Sequence, residues 1–224
     1  MKETKEQTLI IGIGGGGQNI VNRLSSITDP NIKLITINSD EQALNLSKVN
    51  RILFPRVKKF YKIFSKNSVF NMFKQFCNMV FSSKSSYGCG GDVIIGEMIG
   101  EKYKELLKKD ILKSKRIFVI SSFGRGFGTG VTPVVVDYIK SFNKKITVIA
   151  TTPFSFEGKK RWDNAYTGVE KLKHLNEDFI LINNYEILNG ENENLSFNEA
   201  LEKISNAVIT KLVKNIDMTG PKRT

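Results

Sequence analysis

The chain is poor in the residues that staple or ligate. Among 224 residues there are two cysteines, Cys77 and Cys89, and a single histidine, His174. A structural zinc site takes about four such ligands, so a zinc fold is excluded. Two thiols make no disulfide framework. No apolar run approaches the roughly 18 residues of a membrane span. Glu3 and Glu6 precede the apolar stretch Thr8–Ile13, which gives out in glycines, and that is no secretory signal. The expectation is a cytoplasmic protein in a reducing compartment with both thiols reduced. Five prolines and eighteen glycines exclude collagen-like and low-complexity classes. There is no G-x-x-x-x-G-K-[ST], which excludes the Walker A mode of phosphate binding. What remains suits one domain, or one with an insertion, able to bury roughly 70% of its extended surface without a staple.

Acidic residues are missing from one stretch in particular. Residues 42–91 hold nine Lys or Arg and no Asp or Glu. The formal charge is +12, and removing those nine leaves 25 basic against 22 acidic side chains. The basicity is therefore local and points to a local anionic partner, not to a general nucleic-acid binder. Seven of the fifteen phenylalanines fall within 51–87, interleaved with the lysines. Two amphipathic helices are expected there, with Ser68 as the N-cap of the second. This segment reads as an insertion. Its Phe stripe packs on the domain, docks a protein, or enters an anionic membrane surface while lysines meet headgroups. No base-reading motif accompanies it, so no specific nucleic acid is expected.

Elsewhere short apolar runs alternate with helical patterns. Thr8–Ile13, Lys33–Asn38, Arg116–Ser122, Ile146–Thr151 and Phe179–Asn183 are rich in Ile, Val and Phe, as buried strands are. Helices are expected over 18–27, 92–113, 131–142, 161–176 and 196–215. Such alternation predicts an α/β domain, a mostly parallel sheet flanked by helices. Twelve of the eighteen glycines lie in three clusters, GIGGGG at 12–17, GCGG at 88–91 and GRGFGTG at 124–130. The first and third each follow a strand and precede a helix, where backbone amides and a helix N-terminus hold phosphate. GIGGGG alone fits a dinucleotide fingerprint, with Asp40 as the ribose acid, but a nicotinamide enzyme leaves the third cluster unused. Two facing loops enclose a triphosphate instead, with Thr129 as a hydroxyl donor and Arg125 adding charge. Glu157 can accept from ribose hydroxyls and Arg161 can pair with phosphate. The plainer alternative is an i,i+4 surface pair worth a few tenths of a kcal/mol.

These residues resemble FtsZ-type GTPase domains of the tubulin/FtsZ superfamily. The carriers are IIGIGGGGQNIVNRL (10–24), ITINSDEQAL (35–44), GCGGDVIIG (88–96), FGRGFGTGVTPVVV (123–136) and TTPFSFEGKKRWDNAYTGVEKLK (151–173). They occur in family order and cover most of 8–215 except 51–87. The resemblance implies a Rossmann-like nucleotide-binding fold that takes GTP or GDP with Mg2+. It implies phosphate contacts at Gly15, Gly16, Gly17, Gln18 and Asn19. It implies a third loop, Gly90, Gly91 and Asp92, near the γ-phosphate, and a signature loop ending in Gly128, Thr129 and Gly130. Glu157 and Arg161 match the family's ribose-side Glu and Arg, and Asn184 and Ser205 fall where guanine is contacted. Self-assembly, or co-assembly with an FtsZ-like protein, is implied as well.

The departures bear on activity. Arg125 stands for a glycine of the signature and Phe127 for its threonine, adding bulk beside the phosphates. Leu201 stands where a guanine-stacking Phe is common. The loop N-x-D-x-x-D that supports hydrolysis across subunits has no counterpart, and Asn215-x-Asp217 comes about three helical turns too early. A single GTPase-type domain over 1–224 with no second domain is expected. No catalytic residue is assigned. Two functions stay open: a GTPase with slow or partner-dependent turnover, or a non-hydrolysing nucleotide-bound scaffold.

Overall fold

The computed structural model describes residues 7–26, 29–55, 88–175, 178–188 and 195–217. β1 (Gln7–Ile13) leads into α1 (Gly14–Arg23), β2 (Ile32–Asn38), α2 (Glu41–Asn45) and β3 (Asn50–Leu53). Beyond 56–87 come α3 (Val93–Tyr103), a 3-10 turn at Lys104–Leu107, α4 (Lys108–Lys113) and β4 (Ser114–Ser122). α5 (Gly126–Lys140), β5 (Lys145–Thr151), a 3-10 turn at Ser155–Glu157, α6 (Lys159–Leu175), β6 (Asp178–Ile182), α7 (Asn184–Leu188) and α8 (Phe197–Asp217) complete the described chain.

The six strands form one sheet in the order β3-β2-β1-β4-β5-β6, and every pairing is parallel. Alternate residues of each strand point to opposite faces, so each strand must be apolar on both. Leu9, Ile11, Ile13, Ile117 and Val119 pack under α3, α5 and α6. Ile10, Phe118, Ile120 and Ile149 pack under α1 and α8. The fold is thus the expected α/β layering, with helices on both faces of the sheet.

Three differences from the sequence expectation have physical causes. β3 went unseen because it is four residues long and pairs on one side only. It takes in Arg51–Leu53, the head of the segment read as an insertion, and Phe54 behind it is fully buried against Tyr103 and Phe127. The helix expected over 92–113 is broken by its 3-10 turn. Ile95, Ile99, Leu107 and Ile111 recur at multiples of four, which drift round a straight helix of 3.6 residues per turn. The break lets all four reach the interior. Finally, α5 starts at Gly126, five residues before the expected 131, because its glycines are helical. The helices expected within 51–87, their Ser68 cap and Cys77 lie outside the described residues.

Candidate functional site

The strand order reverses between β1 and β4, the place where open α/β sheets form a crevice at their carboxyl ends. β1 delivers α1 there and β4 delivers α5. The two N-termini touch: a Cβ on Gly14 would stand 3.4 Å from the Gly128 nitrogen. Neither Ile13 nor Arg125, the respective N-cap residues, caps its helix with a side chain. The first-turn N–H groups of both helices therefore lack an intrahelical acceptor, and both positive dipole ends meet at one point. An anion is the natural complement.

The glycines divide into two sorts. Some let backbones touch. A Cβ on Gly12 would fall 2.6 Å from the Gly17 oxygen, and one on Gly128 would fall 2.6 Å from the Ser122 oxygen. Gly17 lies against the Ile120 carbonyl, Gly16 against the Ser122 side chain, and Gly130 against Val93 and Glu97 of α3. Others face open space: Gly15, Gly90 and Gly91 have no atom within 4 Å of where a Cβ would stand. Of the residues expected to touch phosphate, Gly15, Gly90 and Gly91 are placed at the opening. Gly17, Gly128 and Gly130 are buried packing points whose side-chain position is filled by protein.

Several side chains expected to meet the nucleotide have partners within the protein. Thr129 is 0% exposed, its methyl lies on the Gly168 position, and its hydroxyl oxygen accepts from the Gly124 N–H at 2.9 Å. It shapes the turn that leads from β4 into α5. Phe127 is 7% exposed and packs edge-on against Phe54, with ring centroids 6.4 Å apart. Its ring belongs to the core, and its edge also comes within 3.6 Å of where a Cβ on Gly14 would stand. Gln18 is buried; its amide donates to the Ala43 carbonyl at 2.5 Å and its oxygen accepts from Asn38 at 3.2 Å. It ties α1 to β2 and α2. Asn19 and Arg125 are exposed, Arg125 at the mouth of α5.

The third loop abuts α5, because a Cβ on Gly126 would stand 2.7 Å from the Asp92 nitrogen. Asp92 is the N-cap of α3, accepting from Ile94 at 2.8 Å and Ile95 at 3.3 Å. Asp40 caps α2 in the same way through Ala43 and is no ribose acid. Asp92→Ala should cost about 1 kcal/mol. That corresponds to a melting temperature roughly 2–4 °C lower, to be read by circular dichroism. Sequence reasoning missed Asn164. Its Nδ2 donates to the carbonyls of both Gly91 and Gly124, each at 3.0 Å, joining the third loop to the signature loop. The available signal was its position three residues after Arg161 on one helix face.

At the other end of the crevice, Glu157 and Arg161 pair with each other, and Glu157 also accepts from the Phe154 N–H at 3.1 Å. The plainer i,i+4 arrangement is thus the one adopted. Trp162 packs beside this turn, donating to the Phe154 carbonyl at 3.2 Å. Asn184 is buried and its Oδ1 has no partner among the described residues. A buried acceptor left alone is costly, and a donor from a ligand would satisfy it. Ser205 is buried too, but its hydroxyl donates back to the Leu201 carbonyl at 2.7 Å. Phe154 and Phe156 stack at 5.1 Å beside Phe197, and Phe156 and Phe197 are exposed. Ser39, just past the end of β2, also has a buried hydroxyl without a partner among the described residues. His174 is an exposed helix residue.

A family model described as the Tubulin/FtsZ family, GTPase domain, matches residues 7–192. The cell division protein FtsZ of Aquifex aeolicus is 29% identical over 209 residues, which is 92% of this chain and 50% of that protein. An empty FtsZ dimer from M. jannaschii matches in structure with a TM-score of 0.74 at 26% identity. That match covers 94% of this chain and 54% of the other. A GTPγS-bound CetZ2 protofilament from Haloferax volcanii shares the fold, with a TM-score of 0.69 at 18% identity over 92% of this chain and 57% of that one. The chain spans about half the length of the relatives it matches.

Proposed function

Because the chain belongs to the Tubulin/FtsZ family through its GTPase domain, we propose that it binds GTP or GDP in the crevice between α1 and α5. One observation carries the reading. Two uncapped helix N-termini meet beside three glycines, Gly15, Gly90 and Gly91, whose side-chain positions are empty. Glycines kept only for packing would have neighbours there, as Gly17 and Gly130 do. The unpartnered Asn184 oxygen supports a base at the far end, since guanine offers N–H donors. Exposed Arg125 supplies a cation to the phosphates, and Glu157 and Arg161 reach the ribose side once their mutual pair opens.

Mg2+ would arrive with the nucleotide, held by phosphate oxygens, water and one or two side chains. No group of three or more His, Cys, Asp or Glu among the described residues could hold a metal by itself. Asp92 is the carboxylate of the third loop and the side chain best placed to meet the ion, which neutralises phosphate charge.

Turnover is the finer question. Water attack on a terminal phosphate needs a residue to orient the water. The third-loop carboxylate, Asp92, is engaged as a helix cap, and Glu157 is paired with Arg161. That favours slow or partner-dependent hydrolysis, or a non-hydrolysing scaffold. Assembly with further copies or with an FtsZ-like protein, in the cytoplasm, fits the family. The basic segment 51–87 is the proposed docking face for a protein or an anionic membrane, which liposome co-sedimentation of the full chain tests. No helix among the described residues is long and apolar enough to cross a membrane.

The test of the central reading is competition against a fluorescent GDP. GTP and GDP should displace it, and ATP at equal concentration should not. Equal displacement by ATP, or no binding at all, would overturn it. Phosphate release followed across protein concentrations then separates the two turnover readings. Release that rises more than in proportion to protein marks an assembling GTPase, and its absence marks a scaffold.

A further inference from the structure

We propose that Asn164 is a positioning residue that fixes the third loop beside the anion crevice and sets the preference for a triphosphate over a diphosphate. The inference rests on the nucleotide-binding reading above. Its observation is a single amide nitrogen whose two hydrogens are both used, one on the Gly91 carbonyl and one on the Gly124 carbonyl. Both carbonyls belong to glycines with left-handed backbone, φ +83° at Gly91 and +109° at Gly124. Neither peptide is part of a helix or strand, so neither oxygen has a ladder partner of its own.

The third loop needs such a tie. A Cβ on Gly90 or Gly91 would meet no atom within 4 Å. The loop nevertheless adjoins the first turn of α5, where Gly126 lies against Asp92. An anion seated on the free N–H groups of α5 therefore meets the third loop next. A loop held there beforehand loses no ordering entropy when the ligand arrives. One left unheld must be ordered by the ligand itself, which weakens binding of the phosphate that contacts it. The amide hydrogens also offset part of the negative charge on both carbonyl oxygens, beside the place a further phosphate would occupy. A diphosphate that stops short of the loop gains nothing from either effect. Asn164 thus acts on the terminal phosphate through Gly91 and Gly124 without touching it. α6 is well founded for this purpose, since Ala165, Gly168, Val169 and Leu172 bury its inner face.

The experiment compares the full chain with Asn164→Ala and Asn164→Asp. The aspartate keeps the shape but presents no donor and sets a carboxylate against two carbonyls. Dissociation constants for GDP and GTPγS are measured by calorimetry, with a thermal melt for each protein. The wild type should favour GTPγS. In both variants the ratio of GTPγS to GDP affinity should fall about tenfold, or 1.4 kcal/mol. GDP affinity should change by no more than about twofold. Hydrogen exchange at Gly90–Asp92 in the wild type should slow when GTPγS replaces GDP. Equal loss of both affinities would mean a merely structural residue and overturn the proposal. So would a ratio unchanged in a folded variant, or exchange indifferent to the third phosphate. A wild type that binds neither nucleotide would overturn the nucleotide reading first, and the latch with it. Binding with an unmoved ratio would overturn the latch alone.

Discussion

Gly17→Ala is expected to lower the melting temperature by roughly 6–12 °C, whereas Gly15→Ala, two residues earlier, should leave it nearly unchanged. Gly17 sits at the first turn of α1, where its Cα faces the carbonyl of Ile120 on the neighbouring strand. A methyl group there falls on backbone, which cannot rotate away. Helix and strand must separate, and the β1–β4 seam is the middle of the sheet. Overpacking in a core costs about 1–3 kcal/mol, and a backbone obstacle places this case at the upper end or beyond. Gly15 is exposed and its methyl meets nothing. Alanine there is also the better helix former. If the crevice takes phosphate, that same methyl stands in the ligand's space. Gly15→Ala should then bind GDP at least about tenfold more weakly on an intact fold. Thermal melts and GDP titrations of the two variants check both halves. A stable Gly17→Ala, or a Gly15→Ala that binds normally, would contradict the division of the glycines.

The second large effect concerns Phe127. Phe127→Thr, which restores the residue type that the family signature carries, is expected to cost about 3 kcal/mol. The aromatic ring lies in the core with Phe54, which itself touches Tyr103. Threonine would leave a cavity and bury a hydroxyl among apolar side chains, and both terms destabilise. The ring edge also stands 3.6 Å from where a Cβ on Gly14 would be, so GDP affinity reads its second role: it should stay within about twofold of the wild type if the ring acts only in the core. Chemical denaturation gives the first number and a GDP titration the second. Tighter nucleotide binding with little loss of stability would mean that the ring obstructs the phosphates after all.

The layering was legible in the sequence because buried parallel strands must be apolar on both faces. Five runs announced five strands in order, each within two residues of its observed start. β3 was not, since an edge strand of the composition Asn-Arg-Ile-Leu carries no such constraint. The site divides similarly. Glycine clusters after strands marked where the crevice lies, because only glycine permits those approaches. What sequence could not reveal is which way a side chain turns. Thr129 and Phe127 share the first turn of α5, and both side chains are buried. Gln18 looked like a phosphate ligand and serves as a brace to Ala43. Asn164 carried no motif, because an amide that bridges two backbone carbonyls depends only on where the loops meet.

The central position of β1 also governs how the molecule comes together. It precedes the other described strands in the chain and pairs on one side with β2 nearby, on the other with β4 more than a hundred residues later. Local pairing can proceed early, but the β1–β4 seam must wait for a long loop to close, which slows folding. The α1 and α5 N-termini face each other only across that seam. A nascent half-domain therefore has no crevice to offer, and an anion that seats in it recognises only the closed sheet. Ligand would then add to global stability as the logarithm of its concentration over its dissociation constant, and would not rescue a partly folded chain.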